Sequence, residues 1–219
     1  MSIHWSVIIS AELSALIVGT YYFKKIKQKF LYLYLFVVVG VCTDLFLTIL
    51  IKLSFHNLWV SHIYFPLEFI LIALFYKSHL SPVLKQRWII LIIFIFVLYS
   101  LFNVAFIQKL QERSNLRPLS SLILVAFSLL YFYRIMIKSR IRKLSAESLI
   151  WINSAILFFF ATLLFYNMLI TPALHRSIQL ARKIGYINRL SVVIFYLVIA
   201  YSFYLEGRKT KSDKHVRLK

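Results

Sequence analysis

Three carboxylates fall inside long apolar runs. Glu12 lies in the first run, Asp44 in the Thr43-Asp44-Leu45-Phe46 stretch of the second, and Glu68 in Ile63-Tyr64-Phe65-Pro66-Leu67-Glu68-Phe69 of the third. A charged group inside a bilayer is costly, so such residues usually face a protein interior or a cavity and mark function. Counted from the outer ends of their runs, all three lie 9 or 10 residues in. At a helical rise of about 1.5 Å per residue this sets each about 14–15 Å deep, at one level. They are three of the chain's seven acids, and no Lys or Arg is expected at that depth in any helix. A layer of carboxyls without a counter-ion calls for a proton, a bound cation or a cationic ligand. Tyr64, one helical turn before Glu68, Asn103 near the outer end of the fourth run and Asn167 in the sixth add neutral hydrogen-bonding groups. The candidate ligand- or proton-binding set is therefore Glu12, Asp44, Glu68, Tyr64, Asn103 and Asn167. The competing reading is structural: protonated carboxyls bonded to one another or to Tyr64, Thr43 and Ser10, tying helices together.

Seven apolar runs can hold these groups, at about 3–23, 30–53, 58–78, 88–107, 118–137, 148–172 and 187–205. Each is long enough to cross roughly 30 Å of hydrocarbon as a helix. The linkers are short and no Gly/Ser-rich stretch divides the chain, so the expected fold is one all-α bundle of seven transmembrane helices over 1–205, followed by a basic tail, 206–219. Composition agrees: 61% of the 219 residues are hydrophobic and only 15% charged, against about 25% charged in soluble domains. Cys42 is the only cysteine, which excludes a disulfide within the chain and a thiolate metal cluster.

The net charge of +19 would suggest nucleic acid in a soluble chain. Its distribution points elsewhere. Segments 24–29, 77–87, 134–143 and 206–219 hold 18 of the 26 Lys and Arg, and the opposite side holds Lys52, Lys109, Arg113, Arg117, Arg176, Arg182, Lys183 and Arg189. By the positive-inside rule the N-terminus is outside and the C-terminus cytoplasmic, in a multi-pass protein of the inner (plasma) membrane. The lipid bilayer, with anionic headgroups against the basic tail, and a membrane or cytoplasmic protein are the expected partners; nucleic acid is not. The first run is followed rather than preceded by its basic cluster, Lys24-Lys25-Ile26-Lys27, and is expected to remain as a helix.

Other features read mainly as packing. Ala11, Ala15 and Gly19 recur at four-residue spacing and allow close helix approach. Gly40, Thr48 and Ile51 share a face with Asp44. Pro66 removes a backbone donor and frees the carbonyl of His62 beside a buried acid. Ser120, Ser121 and Ser128 can bond their own backbone, and Asn153, fourteen residues before Asn167 on nearly one face, is expected to bond between helices. His4, His56, His62 and His175 fall on the outer side without the spacing of a zinc motif. No motif names a metal or a cofactor. The last run lacks the lysine of a retinal protein, the second and last runs lack the histidines of a ceramidase-type hydrolase, and no nucleophile elbow or phosphate loop occurs.

Runs 1–3 and 5–7 share direction, with Ser14 and Leu16 matching Ser128 and Leu130, and Thr43-x-Leu45-Phe46 matching Thr162-x-Leu164-Phe165. The topology is similar to that of small seven-helix sugar carriers, whose Pro-Gln motifs are missing here. Asn57-Leu58-Trp59, Ile63-Tyr64-x-Pro66-Leu67-Glu68-Phe69 and Asn188 at the opening of the last run resemble an uncharacterised family of seven-helix inner-membrane proteins of Bacteroidota-type bacteria. That resemblance implies the fold and no activity.

Three functions fit these residues. The first is a non-enzymatic sensory or accessory subunit that recognises a small ligand or proton at the acidic layer and signals to a partner. The second is a small proton-coupled carrier with Glu12, Asp44 and Glu68 as coupling acids. The third is an intramembrane lipid hydrolase using paired acids, Asp44 and Glu68, as general acid and base.

Overall fold

In this computed structural model the chain is described over residues 3–81, 83–108, 115–138 and 147–216, with side chains for 6–26, 29–81, 83–108, 115–137 and 147–208. Expectations for His4, Lys27, Lys109, Arg113, Arg140, Arg142, Lys143 and the tail side chains beyond Arg208 lie outside those residues. Seven helices and no strand occur among the described residues: α1 (Ile3–Tyr21), α2 (Phe23–Lys52), α3 (Trp59–His79), α4 (Gln86–Phe102), α5 (Arg117–Lys138), α6 (Ser148–Arg176) and α7 (Ile178–Val216). Six are long and apolar enough to cross a membrane, and α1 contributes a shorter apolar helix. Large apolar side chains stand exposed along them, among them Phe46 and Ile49 on α2, Phe94, Ile95 and Leu98 on α4, and Phe165 and Met168 on α6. So much apolar surface is unfavourable in water and suits a bilayer.

Helices α1, α2, α3, α5, α6 and α7 close a ring in which each packs on the next and α7 returns to α1. Helix α4 packs outside the ring, against α3. The close approach of α1 to its neighbours follows from its small residues. Ala11 and Ala15 are buried, and a Cβ on Gly19 would meet the Tyr34 and Phe203 rings at 2.9 and 3.0 Å. A second tie is polar. Tyr76 on α3 donates to Asn153 Oδ1 on α6 at 2.7 Å, and Ser128 on α5 exchanges hydrogen bonds with the same asparagine at 3.0–3.1 Å. Where water is absent, each of these groups needs a protein partner, and Asn153 serves three helices at once.

Several helix limits differ from those expected. The basic segment 24–29 is not a loop: Tyr22 alone separates α1 from α2, and Lys24–Lys29 form the opening turns of α2. Lys and Gln are good helix formers, and hydropathy marks bilayer depth rather than helix length. The chain bends instead at Phe30 (φ −124°, ψ 19°), whose buried ring lies 6.3 Å from that of Phe75 and 6.1 Å from that of Phe203. The last helix starts at Ile178 rather than 187 and continues through Val216, so the expected tail prolongs α7. It is fastened before that extension: Lys29 pairs with Glu206 at 3.0 Å, Ser148 donates to the same carboxylate, and Lys25 Nζ donates to the Gly207 carbonyl at 3.2 Å. Helix α3 runs through Pro66, and the fourth run ends in a π-helical turn, Asn103–Ile107.

Helix α2 terminates in a Schellman arrangement. Ser54 N–H donates to Ile51 O at 3.1 Å and Phe55 N–H to Leu50 O at 3.0 Å, with Ser54 at φ 57°. This left-handed position favours glycine. Ser54→Gly is expected to raise stability by about 0.5–1 kcal/mol, because relief of the left-handed strain exceeds the added chain entropy. Thermal unfolding of the purified variant beside wild type checks this; a lower midpoint contradicts it.

Candidate functional site

The acids reach one place because each sits on an inward face at the same end of the ring. Glu12 extends the buried Ala11/Ala15 face of α1, Asp44 lies one turn after Gly40 on α2, and Glu68 lies one turn after Tyr64 on α3. Together with Arg117 of α5, Phe159 of α6 and Asn188, Arg189, Val192 and Tyr196 of α7 they line a cavity of about 330 Å³, with Ile8 and Phe36 completing the wall. Glu12 is 4% exposed and Glu68 2%. Among the described residues no three of His, Cys, Asp and Glu converge as a metal-binding group.

Arg117 corrects an expectation. It was assigned to the outer side, leaving the acidic layer without a cation, yet its guanidinium forms an ion pair with Glu68. Arg117 is the first residue of α5, and its long apolar stem carries the charge away from its own helix position. Its head group and backbone are held: Phe65 lies under the guanidinium at 4.2 Å, and the Arg117 carbonyl accepts from Ser120 and Ser121 at 2.9 and 2.8 Å. A planar guanidinium over an aromatic face suits a partly dry site better than an ammonium would.

With Glu68 paired, Glu12 and Asp44 are left facing each other. Their side chains come within hydrogen-bonding reach, and the Tyr196 hydroxyl reaches Glu12. Tyr64 stands between the two groups, within electrostatic range of Glu12, Asp44, Glu68 and Arg117 alike. Two carboxyls bond to one another only with a proton between them, so this arrangement can hold a proton or exchange it for another donor. Gly40 makes room for the network. A Cβ there would lie 2.7 Å from the Tyr196 hydroxyl and 3.6 Å from that of Tyr64.

Below the acids the cavity is closed by rings. Phe36 stacks on Tyr196 at 6.1 Å, Phe159 stacks on Phe195 at 4.5 Å, and Phe36 meets Phe195 edge-on at 5.8 Å. A second cavity of about 280 Å³, between α2 and α3, is lined by Thr43, Leu47, Asn57, Ser61 and Phe65 and shares Asp44 and Tyr64 with the first. Those two side chains form the wall between the spaces.

Of the sequence-derived candidates, Glu12, Asp44, Glu68 and Tyr64 come together. Asn103 and Asn167 do not line this cavity. Asn103 is buried at the π turn and donates to Gln108 Oε1 at 3.3 Å, while Asn167 donates to Leu163 O, in its own helix, at 2.7 Å. Sequence reasoning missed Arg117, Asn188, Arg189 and Tyr196 as site residues. The four-residue spacing of Asn188, Val192 and Tyr196 was the available signal for one inward face. No protein-family model matches the chain, and no curated protein or solved structure matches it either.

The fit at Gly40 generates a test. Gly40→Ala is expected to cost about 1–3 kcal/mol by overpacking. In a Tyr196→Phe background the nearest remaining ring carbon stands at 3.8 Å, so the added cost should fall below about 1 kcal/mol. Unfolding midpoints of the two single variants and the double variant check this; additive losses contradict it.

Proposed function

We propose that the chain is a non-enzymatic, multi-pass inner-membrane protein, N-terminus outside and C-terminus cytoplasmic, acting as a sensory or accessory subunit. It recognises a small ligand or a proton in the acidic cavity and signals occupancy to a membrane or cytoplasmic partner. One observation carries this reading: Glu12, Asp44 and Glu68 line a single cavity in which, among the described residues, only Glu68 has a paired cation. A buried carboxyl pair with tyrosines around it is sensitive to whatever donor occupies the space. Helix α7 supplies the link. It carries Asn188, Arg189 and Tyr196 at the cavity and Glu206 ten residues beyond Tyr196, where Lys29 and Ser148 hold it. That separation is about 15 Å along the helix. A small displacement of α7 at the cavity therefore reaches the basic end of α2 and the end of α7, the surface offered to a partner.

The aromatic layer beneath the acids favours recognition over passage, because a carrier has to open a path through Phe36, Phe159, Phe195 and Tyr196. Thermal stability of the purified full chain between about pH 4 and pH 9 tests the reading. Glu12→Gln and Asp44→Asn, amides standing for protonated acids, are expected to fold and to flatten the pH dependence of Tm. If both unfold readily at every pH, the acids are structural ties and the reading fails. Solute uptake by proteoliposomes that is abolished by Glu12→Gln would replace it with a carrier.

A further inference from the structure

We propose that the cavity binds a free α-amino acid with an apolar side chain, held as a zwitterion; this rests on the cavity being a recognition site. Charge selects the class. Glu68 and Arg117 neutralise each other, so the groups left to meet a ligand are the Glu12/Asp44 pair and Arg189. Arg189 makes no ion pair among the described residues; its guanidinium rests near the Tyr186 ring at 5.6 Å and keeps its forked donors available. A guanidinium matches a carboxylate in geometry, and a carboxyl pair matches an ammonium. A bare amine would leave Arg189 unanswered and add charge beside it, whereas a bare acid would face Glu12 and Asp44. A zwitterion answers both.

A second observation supports the donor end. Asn188 lines the cavity, and its Oδ1 is buried with no hydrogen-bond partner. Buried acceptors in native proteins are almost always paired, so a donor is wanted at that point. An ammonium has three N–H groups, enough for Asn188 Oδ1 and the two carboxyls. The remaining wall is apolar: Ile8, Val192, Phe36 and Phe159 surround the space above the aromatic floor. A volume of about 330 Å³ is at the small end of ligand pockets and suits a molecule of amino-acid size.

The test uses the full chain in lipid nanodiscs, titrated near neutral pH with the twenty standard amino acids. Leucine and phenylalanine are run beside 3-methylbutylamine and phenethylamine, which lack the carboxylate, and 4-methylpentanoate and 3-phenylpropanoate, which lack the amine. At least one apolar amino acid is expected to raise Tm and bind at least about tenfold tighter than either half-molecule. Arg189→Gln, an exposed position, should weaken the amino acid about tenfold or more and leave the amine unchanged, whereas Asp44→Asn should weaken both. The assignment is overturned if the amine binds as tightly as the amino acid, if Arg189→Gln changes nothing, or if none of the twenty binds. In the last case a pH dependence of Tm that still responds to Glu12→Gln leaves the recognition reading standing and removes only the ligand class. If that dependence is also unresponsive, both fall.

Discussion

The ion pair between Glu68 and Arg117 is the contact around which the polar end of the bundle is arranged. Neither charge is tolerable alone inside a ring of apolar helices, and each makes the other acceptable. Their pairing fixes α3 against α5, the neighbours that close the ring past the peripheral α4. It also decides what the remaining acids can do. A cation shared among three carboxyls would compensate none of them fully. Committed to Glu68 and seated on Phe65, it leaves Glu12 and Asp44 with each other, two tyrosines and whatever enters the cavity.

The molecule thus divides along its length. At one end the ring is held open by side chains that need partners. At the other, apolar and aromatic packing fills it, with Phe30 at the bend of α2, Ile72 and Phe203 fully buried. Polar ties appear there too, but each is internally complete, as in the Tyr76–Asn153–Ser128 network. Completed networks specify packing, and incomplete ones leave work for a ligand. The boundary between the two is the aromatic layer, in which Tyr196 belongs to both: its ring stacks on Phe36 and its hydroxyl reaches Glu12. Helix α7 is consequently the element on which the packed end and the acidic cavity meet.

Much of this was legible in the residues. The acids stand out because a carboxyl in an apolar run has few explanations, and equal depth on separate helices predicts that they meet. Ala11, Ala15 and Gly19 announced the packing face of α1, and Asn153 its role between helices. What escaped has two physical causes. Hydropathy reports how deep a residue sits, so it missed helical turns outside the apolar core: the opening of α2 at Lys24–Lys29 and of α7 at Ile178. Helix position also says little about where a long side chain ends, and Arg117 was counted as an outer charge although its head group reaches Glu68. Asn103 and Asn167 erred in the opposite sense. Their apolar settings implied a shared use, but Asn103 Nδ2 bonds Gln108 at the π turn while its Oδ1 has no partner, and Asn167 bonds a carbonyl of its own helix.

The most direct measurement of the central claim is a double-mutant cycle on the ion pair, read as unfolding free energy in detergent micelles of fixed composition. Glu68→Gln and Arg117→Gln should each cost about 3–5 kcal/mol, because each leaves one buried charge uncompensated, while the double variant should recover much of that loss. A strong coupling of this sign means the pair organises the cavity. Two small, additive effects would mean that Arg117 turns to solvent or headgroups in the folded protein, and the division between a paired Glu68 and an open Glu12/Asp44 site would have to be abandoned.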